Sequence, residues 1–406
     1  MLGREYAKLW TASTVSNLGD GITQVAMPLL AASLTRNAVL VAVVAAAGQL
    51  PWLLFSLHAG AVVDRVDRRR LMAGVDVMRC LLMATLASLT LAGLATVPLL
   101  AGVVFLHGVG ETLFANATQP LIPAVTGGRD LESANARLYA GEIVTNGFAG
   151  PPLGGLLFAA AAGLPFLVDS ASFLVSAALL VAIHGVFRPE RPEGPPTTMR
   201  ADIGEGLRWL WHMPLLRWLS LLLAAGNLAG GATGAVFVLF ALEKLGLGNA
   251  GGGVGRLGGA GGGLAGSAVA SRLSRRLGPG RTMTLVTLAG GLAIAGIGLA
   301  SSPLVVAALL AVEGAFAVIW NVITISLRQE IIPDRLLGRV SSAYRLLGVG
   351  AAPVGALLGG LLGQAVGLRA VFLAFGGVTV LVAAALPLVA GDRHIAAART
   401  GLRRTV

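Results

Sequence analysis

Five of the carboxylic acids inside long apolar runs of this chain are candidates for chemistry: Asp20, Glu111, Glu142, Asp169 and Glu313. A carboxyl withdrawn from water holds its proton more tightly, and a nearby cation makes it release that proton again. Acids placed this way suit reversible proton uptake and release. Glu142 and Asp169 have a second reading as partners for neighbouring helix ends. Five amides accompany them, Asn17, Gln24, Asn116, Asn227 and Asn321, which either line a path for solute or hydrogen-bond between helices. His107 reads as a packed, hydrogen-bonded histidine rather than a proton shuttle.

The elements that must hold these groups are membrane helices. Of 406 residues 55% are hydrophobic and 12% charged, about half the charge of an ordinary soluble protein, and mean hydropathy is +0.81. Apolar runs of helix-spanning length are expected near 9–34, 39–63, 71–96, 97–118, 138–161 and 164–186. A second set falls near 215–242, 252–273, 282–300, 303–327, 340–366 and 368–389. The first run is too long for the core of a cleaved signal and reads as a retained span. This is an all-α polytopic protein of about twelve spans.

A net charge of +11 would suggest nucleic acid in a soluble domain. Here the arginines sit at the ends of apolar runs, so they report topology, and no nucleic-acid partner is expected. With both termini cytoplasmic, only Arg36, Lys244, Arg256 and Arg369 among 30 Lys and Arg fall on or near the far side. The expected organisation is a six-helix bundle over 1–187, a polar cytoplasmic linker over 188–213, a second bundle over 214–390 and a basic cytoplasmic tail over 391–406. The linker includes an amphipathic piece from Ile203 to His212, suited to the membrane interface.

A shift of about 205 residues superimposes Pro98 on Pro303 and Asn116 on Asn321, and Pro152-Leu153-Gly154 echoes Pro353-Val354-Gly355. Duplicated halves of this kind are a transporter signature. The glycine run 252–266 reads as close helix packing. No strand precedes it and no phosphate-cradling G-x-x-x-x-G-K-[ST] exists, so ATP drive is not expected. The single cysteine, Cys80, excludes a disulfide framework and a cysteine-based metal site within one chain. Neither metal, cofactor nor enzymatic activity is expected.

Gly60 to Met72 resembles the loop between helices 2 and 3 of the major facilitator superfamily, with Gly60, Asp64, Arg65, Arg68 and Arg69 matching and Asp67 in place of a second glycine. The resemblance implies a charged latch that holds one conformation of an alternating-access transporter. Asp76 and Arg79, three apart, can pair beside it near the cytoplasmic boundary. Gly150, Pro151, Gly154 and Gly155 are similar to the helix-5 motif of antiporters, with Asn146 replacing a glycine four residues upstream. Ser16 to Asp20, Asp76 to Arg79, Asp169 to Phe173, Trp320-Asn321 and Arg328 to Val340 are similar to the drug:proton antiporter branch that includes enterobactin exporters and macrolide efflux proteins.

That likeness implies proton-driven export of small amphipathic molecules across a bacterial inner membrane by a monomer. It favours Asp20 and Glu111 for coupling, on helices that line the cavity in the resembled fold, and Glu313 as their second-half counterpart. Helix 4 lacks the arginine on which classical multidrug antiporters build a proton relay. The alternatives are an uptake symporter on the same scaffold and a non-transporting membrane sensor.

Overall fold

The structure is a computed structural model that describes residues 3–402 except 64, 128–129, 186, 188–198, 248–250 and 333. Every regular element among the described residues is helical. The chain divides into two compact units, the first formed by 1–194 with 241–256, the second by 195–240 with 257–406.

The first unit holds α1 (Arg4–Leu34), α2 (Ala38–Val63), α3 (Arg68–Leu91), α4 (Val97–Thr126) and α5 (Leu131–Glu142). A π-helical segment (Ile143–Ala149) then leads into α6 (Gly150–Ala160), followed by α7 (Leu164–Val181). The second unit is built from α8 (Met199–His212), α9 (Pro214–Glu243), α10 (Gly251–Leu277), α11 (Pro279–Leu299), α12 (Pro303–Ile331), α13 (Asp334–Ala365), α14 (Leu368–Ala390) and α15 (Asp392–Leu402). The last turn of α9 and the first residues of α10 are grouped with the first unit. Ten helices among the described residues are long and apolar enough to cross a membrane. The two other long ones, α1 and α10, carry respectively the Asn17, Asp20, Gln24 stripe and a run of glycines.

Helix ends follow local chemistry. Proline opens α11 and α12 in the first turn, where its missing N–H costs nothing. Gly127, at φ 62°, closes α4 in the left-handed region that glycine tolerates. The stretch between the expected runs 97–118 and 138–161 is mostly helix, because Pro120 and Pro123 do not break α4 and α5 starts at Leu131. The expected tail contributes α15, whose Asp392 carboxylate accepts from the Gly280 N–H at 2.7 Å and so caps α11.

Pro151 and Pro152 have no N–H to return to the carbonyls of Gly147 and Phe148. The ladder slips by one residue, and the Gly150 N–H reaches Thr145 O, five residues back. Packing then uses the bare glycines. A Cβ on Gly150 would lie 2.6 Å from Gly21 Cα, so α6 and α1 touch backbone to backbone. The second unit repeats the device at Gly355, where a Cβ would strike the Leu228 carbonyl of α9. Along α10, Gly258, Gly262 and Gly266 lie against the backbone of α12 in the same way.

Candidate functional site

Arg79 on α3 is 1% exposed, in the apolar interior of the first unit. Its Nη2 donates to Asp20 Oδ1 on α1 at 2.5 Å and lies 3.2 Å from His107 Nε2 on α4. Nη1 stands 3.8 Å from Asp76 Oδ1 on its own helix, and the guanidinium lies 4.1 Å above the Phe173 ring of α7. Four helices thus meet at one cation. An arginine this deep is tolerable only when paired and surrounded by acceptors or π faces.

His107 Nε2 is also 3.4 Å from Asp20 Oδ1. That nitrogen accepts from Arg79 when bare and donates to Asp20 when protonated, and it cannot do both. On the far side of the arginine, Asp76 Oδ2 accepts from Ser176 Oγ at 2.5 Å. Buried Asp76 Oδ1, Arg79 Nε and His107 Nδ1 have no hydrogen-bond partner among the described residues, so the cluster holds unused donor and acceptor capacity.

The cluster borders a hollow of about 590 Å³ lined in part by Asn17, Asp20, Trp52, Arg79, Glu111 and Glu142. Glu111 and Glu142 are exposed to it. Asp169 is not part of this lining. It is fully buried on α7, Oδ1 accepting from Ser172 Oγ at 3.2 Å and Oδ2 taking no hydrogen bond from the described residues, packed where Gly19 of α1 leaves space. Among the amides, Gln24 donates to Asn146 Oδ1 at 2.6 Å, tying α1 to the π-helical segment. Asn116 donates to Thr112 O within α4.

In the second unit Glu313 lies in a smaller hollow of about 220 Å³ between α9, α11, α12 and α14. Asn227 and Asn321 line it with Trp320, and Asn227 also donates to Gly348 O on α13 at 3.0 Å. Glu313 makes no hydrogen bond or ion pair with the described residues.

At the turn between α2 and α3, Gly60 sits in the last turn of α2, Arg65 is exposed, and Asp64 lies outside the described residues. Asp67, where the resembled loop has glycine, organises the turn. Its Oδ1 caps the Arg70 N–H at 3.0 Å and its Oδ2 accepts from Phe187 N at 3.1 Å, while Arg69 donates to Ile183 O. Burial opposes the Asp67 charge, but those N–H groups with Arg69 and Arg70 prevail and hold its carboxyl below the ordinary aspartate value. Arg68 is half-buried, and its Nε has no hydrogen-bond partner among the described residues. A second tie runs from Glu5, which accepts from His184 N at 2.7 Å and pairs with Lys8 at 2.9 Å. The chain after α7 is thereby fastened to both α1 and α3.

Sequence reasoning placed Asp76 and Arg79 together but did not see that Arg79 reaches Asp20 and His107. One signal pointed there. Arg79 is followed by the uncharged run Cys80 to Leu94, and a cation so placed requires an acid from another helix.

Ten apolar spans and two units sharing one glycine-packing device describe a polytopic membrane protein, and the family match that follows makes it a transporter of the major facilitator superfamily. A family profile described as transmembrane secretion effector matches residues 3–399, and the chain belongs to that family of the superfamily. It is 31% identical over 396 residues to the multidrug efflux pump Tap of Mycolicibacterium fortuitum, covering 89% of this chain and 90% of that one. Identity to the Tap pump of Mycobacterium tuberculosis is 29% over 397 residues, covering 89% and 88%. The crystal structure of the nucleoside transporter NupG superimposes with a TM-score of 0.79 at 11% identity over 95% of this chain and 99% of that chain. A bacterial homologue of the iron transporter ferroportin in the inward-facing state gives 0.75 at 18% over 95% and 99%. Those two likenesses concern the fold alone.

Proposed function

We propose that this protein is a bacterial inner-membrane exporter of small amphipathic drugs, driven by inward proton movement through alternating access, with both termini cytoplasmic. The observation that carries the reading is the Asp20–Arg79 pair beside a hollow that also holds Glu111 and Glu142. An ionised Asp20 grips Arg79. A proton arriving at Asp20 Oδ1 loosens that grip, and His107 Nε2 is placed to pass it on. The cation missing from α4 is supplied here by α3. Two relatives, each about 30% identical and named multidrug efflux pumps, support drug as the cargo class. The latch at Asp67 and Arg69, and the glycine contacts of α6 and α13, are suited to units that tilt as rigid bodies.

The test is efflux of ethidium from cells stripped of their own exporters, with and without an uncoupler. Wild type clears the dye and the uncoupler stops it. Glu111→Gln stays in the membrane at wild-type level but loses uncoupler-sensitive efflux. Full activity in Glu111→Gln and Asp20→Asn alike removes the coupling scheme, and accumulation of dye by right-side-out vesicles under a proton gradient selects uptake instead.

A further inference from the structure

The two hollows differ in one respect that bears on cargo. In the first unit the acids surround a cation of the protein's own, Arg79. In the second, the described lining residues include a single ionisable side chain, Glu313, and no basic residue. The next charged side chain along α12 is Arg328, about 22 Å of helix rise away. A carboxylate at membrane depth is costly unless something positive approaches it. Nothing among the described residues does so.

The rest of the wall fits a positive guest. Glu313, Phe316 and Trp320 stand at i, i+3 and i+7 of α12 and therefore share one face. Aromatic faces attract cations, and Asn227, Asn321 and Thr287 add neutral polar contacts. A space of about 220 Å³ accommodates a charged head with part of one ring, leaving an apolar body to extend out of it.

We propose that this hollow is the subsite for the cationic head of the cargo, with Glu313 as its counter-ion and Phe316 and Trp320 as its aromatic walls, so that lipophilic amines and quaternary or phosphonium cations are the favoured substrate class. This rests on the export reading above and assigns Glu313 to cargo recognition rather than to proton coupling.

The experiment is equilibrium dialysis of the purified full-length protein against tetraphenylphosphonium and, in parallel, neutral triphenylphosphine oxide. Glu313→Gln weakens phosphonium binding by about tenfold or more, the scale of a lost charge-assisted contact, and changes oxide binding less than about twofold. Trp320→Leu weakens phosphonium binding by a few-fold. It is also the second variant should Glu313→Gln not purify as a single species. Phosphonium binding that is unchanged in both variants, equal loss of both ligands, or no phosphonium binding by wild type each overturns the assignment. Uncoupler-sensitive efflux of a neutral compound in the face of such a result leaves the export reading standing. Specific phosphonium binding without any efflux sinks the export reading while the subsite survives.

Discussion

The pairing of Arg79 with Asp20 makes a quantitative prediction about stability. Breaking a buried ion pair by removing one partner costs about 3–5 kcal/mol, because the other charge is left uncompensated. The geometry orders the two single variants within that range. In Asp20→Asn, Arg79 keeps Asp76 at 3.8 Å, the Phe173 face at 4.1 Å and an amide oxygen in place of the carboxylate, which points to about 3 kcal/mol. In Arg79→Met, Asp20 and Asp76 are both deprived of their cation, and Asp76 is completely buried, which points to about 5 kcal/mol. The double variant has no cation to strand and loses little beyond Arg79→Met, so it should cost about 5 kcal/mol rather than about 8, a coupling near 3 kcal/mol. Unfolding in mixed detergent–SDS micelles, read by tryptophan fluorescence, gives the four free energies. Additivity within about 0.5 kcal/mol would refute the reasoning, since groups in contact do not behave independently.

Further predictions follow from the helix contacts and the turn. Gly150→Ala places a methyl 2.6 Å from the α1 backbone, where no side chain can yield, so α1 must shift by about 1 Å at a cost of about 1–3 kcal/mol; unchanged unfolding of this variant would show that the helices do not touch there. Asp67→Ala loses the cap on α3 and the tie to Phe187, costing about 1 kcal/mol at pH 7. Because the folded-state carboxyl titrates below the ordinary aspartate value, this contribution is complete above about pH 4–5 and fades as pH falls through the depressed value. Wild type and Asp67→Ala should therefore converge in acid, and a gap that widens there contradicts the assignment. His107→Phe keeps the ring against Phe173 but removes Nε2, and should lower uncoupler-sensitive ethidium efflux more than it lowers stability; wild-type efflux in that variant would take His107 out of the proton path.

Composition and spacing by themselves determined that this is an all-helical, polytopic membrane protein, because hydropathy over about 20 residues is a local property that lipid reads directly. The glycine run at 252–266 likewise announced close helix packing, since a missing Cβ acts wherever the residue stands. Which charges share a site was not legible. Asp76 is three residues from Arg79 and was seen beside it, whereas Asp20 is 59 residues away and His107 is 28, and only the packing of α1 and α4 onto α3 brings them to one guanidinium. Asp169 and Glu111 look alike in sequence, yet one is sealed against Gly19 and the other opens to a hollow, a distinction made by the rotation of each helix about its axis. Asp67 looked like a departure from a turn pattern until Phe187, 120 residues on, supplied the N–H that its second oxygen accepts. Periodicity names the faces of a helix, but the neighbour each face meets is settled by the mutual fit of all the helices in the unit, and that fit depends on side-chain volumes far apart in the chain.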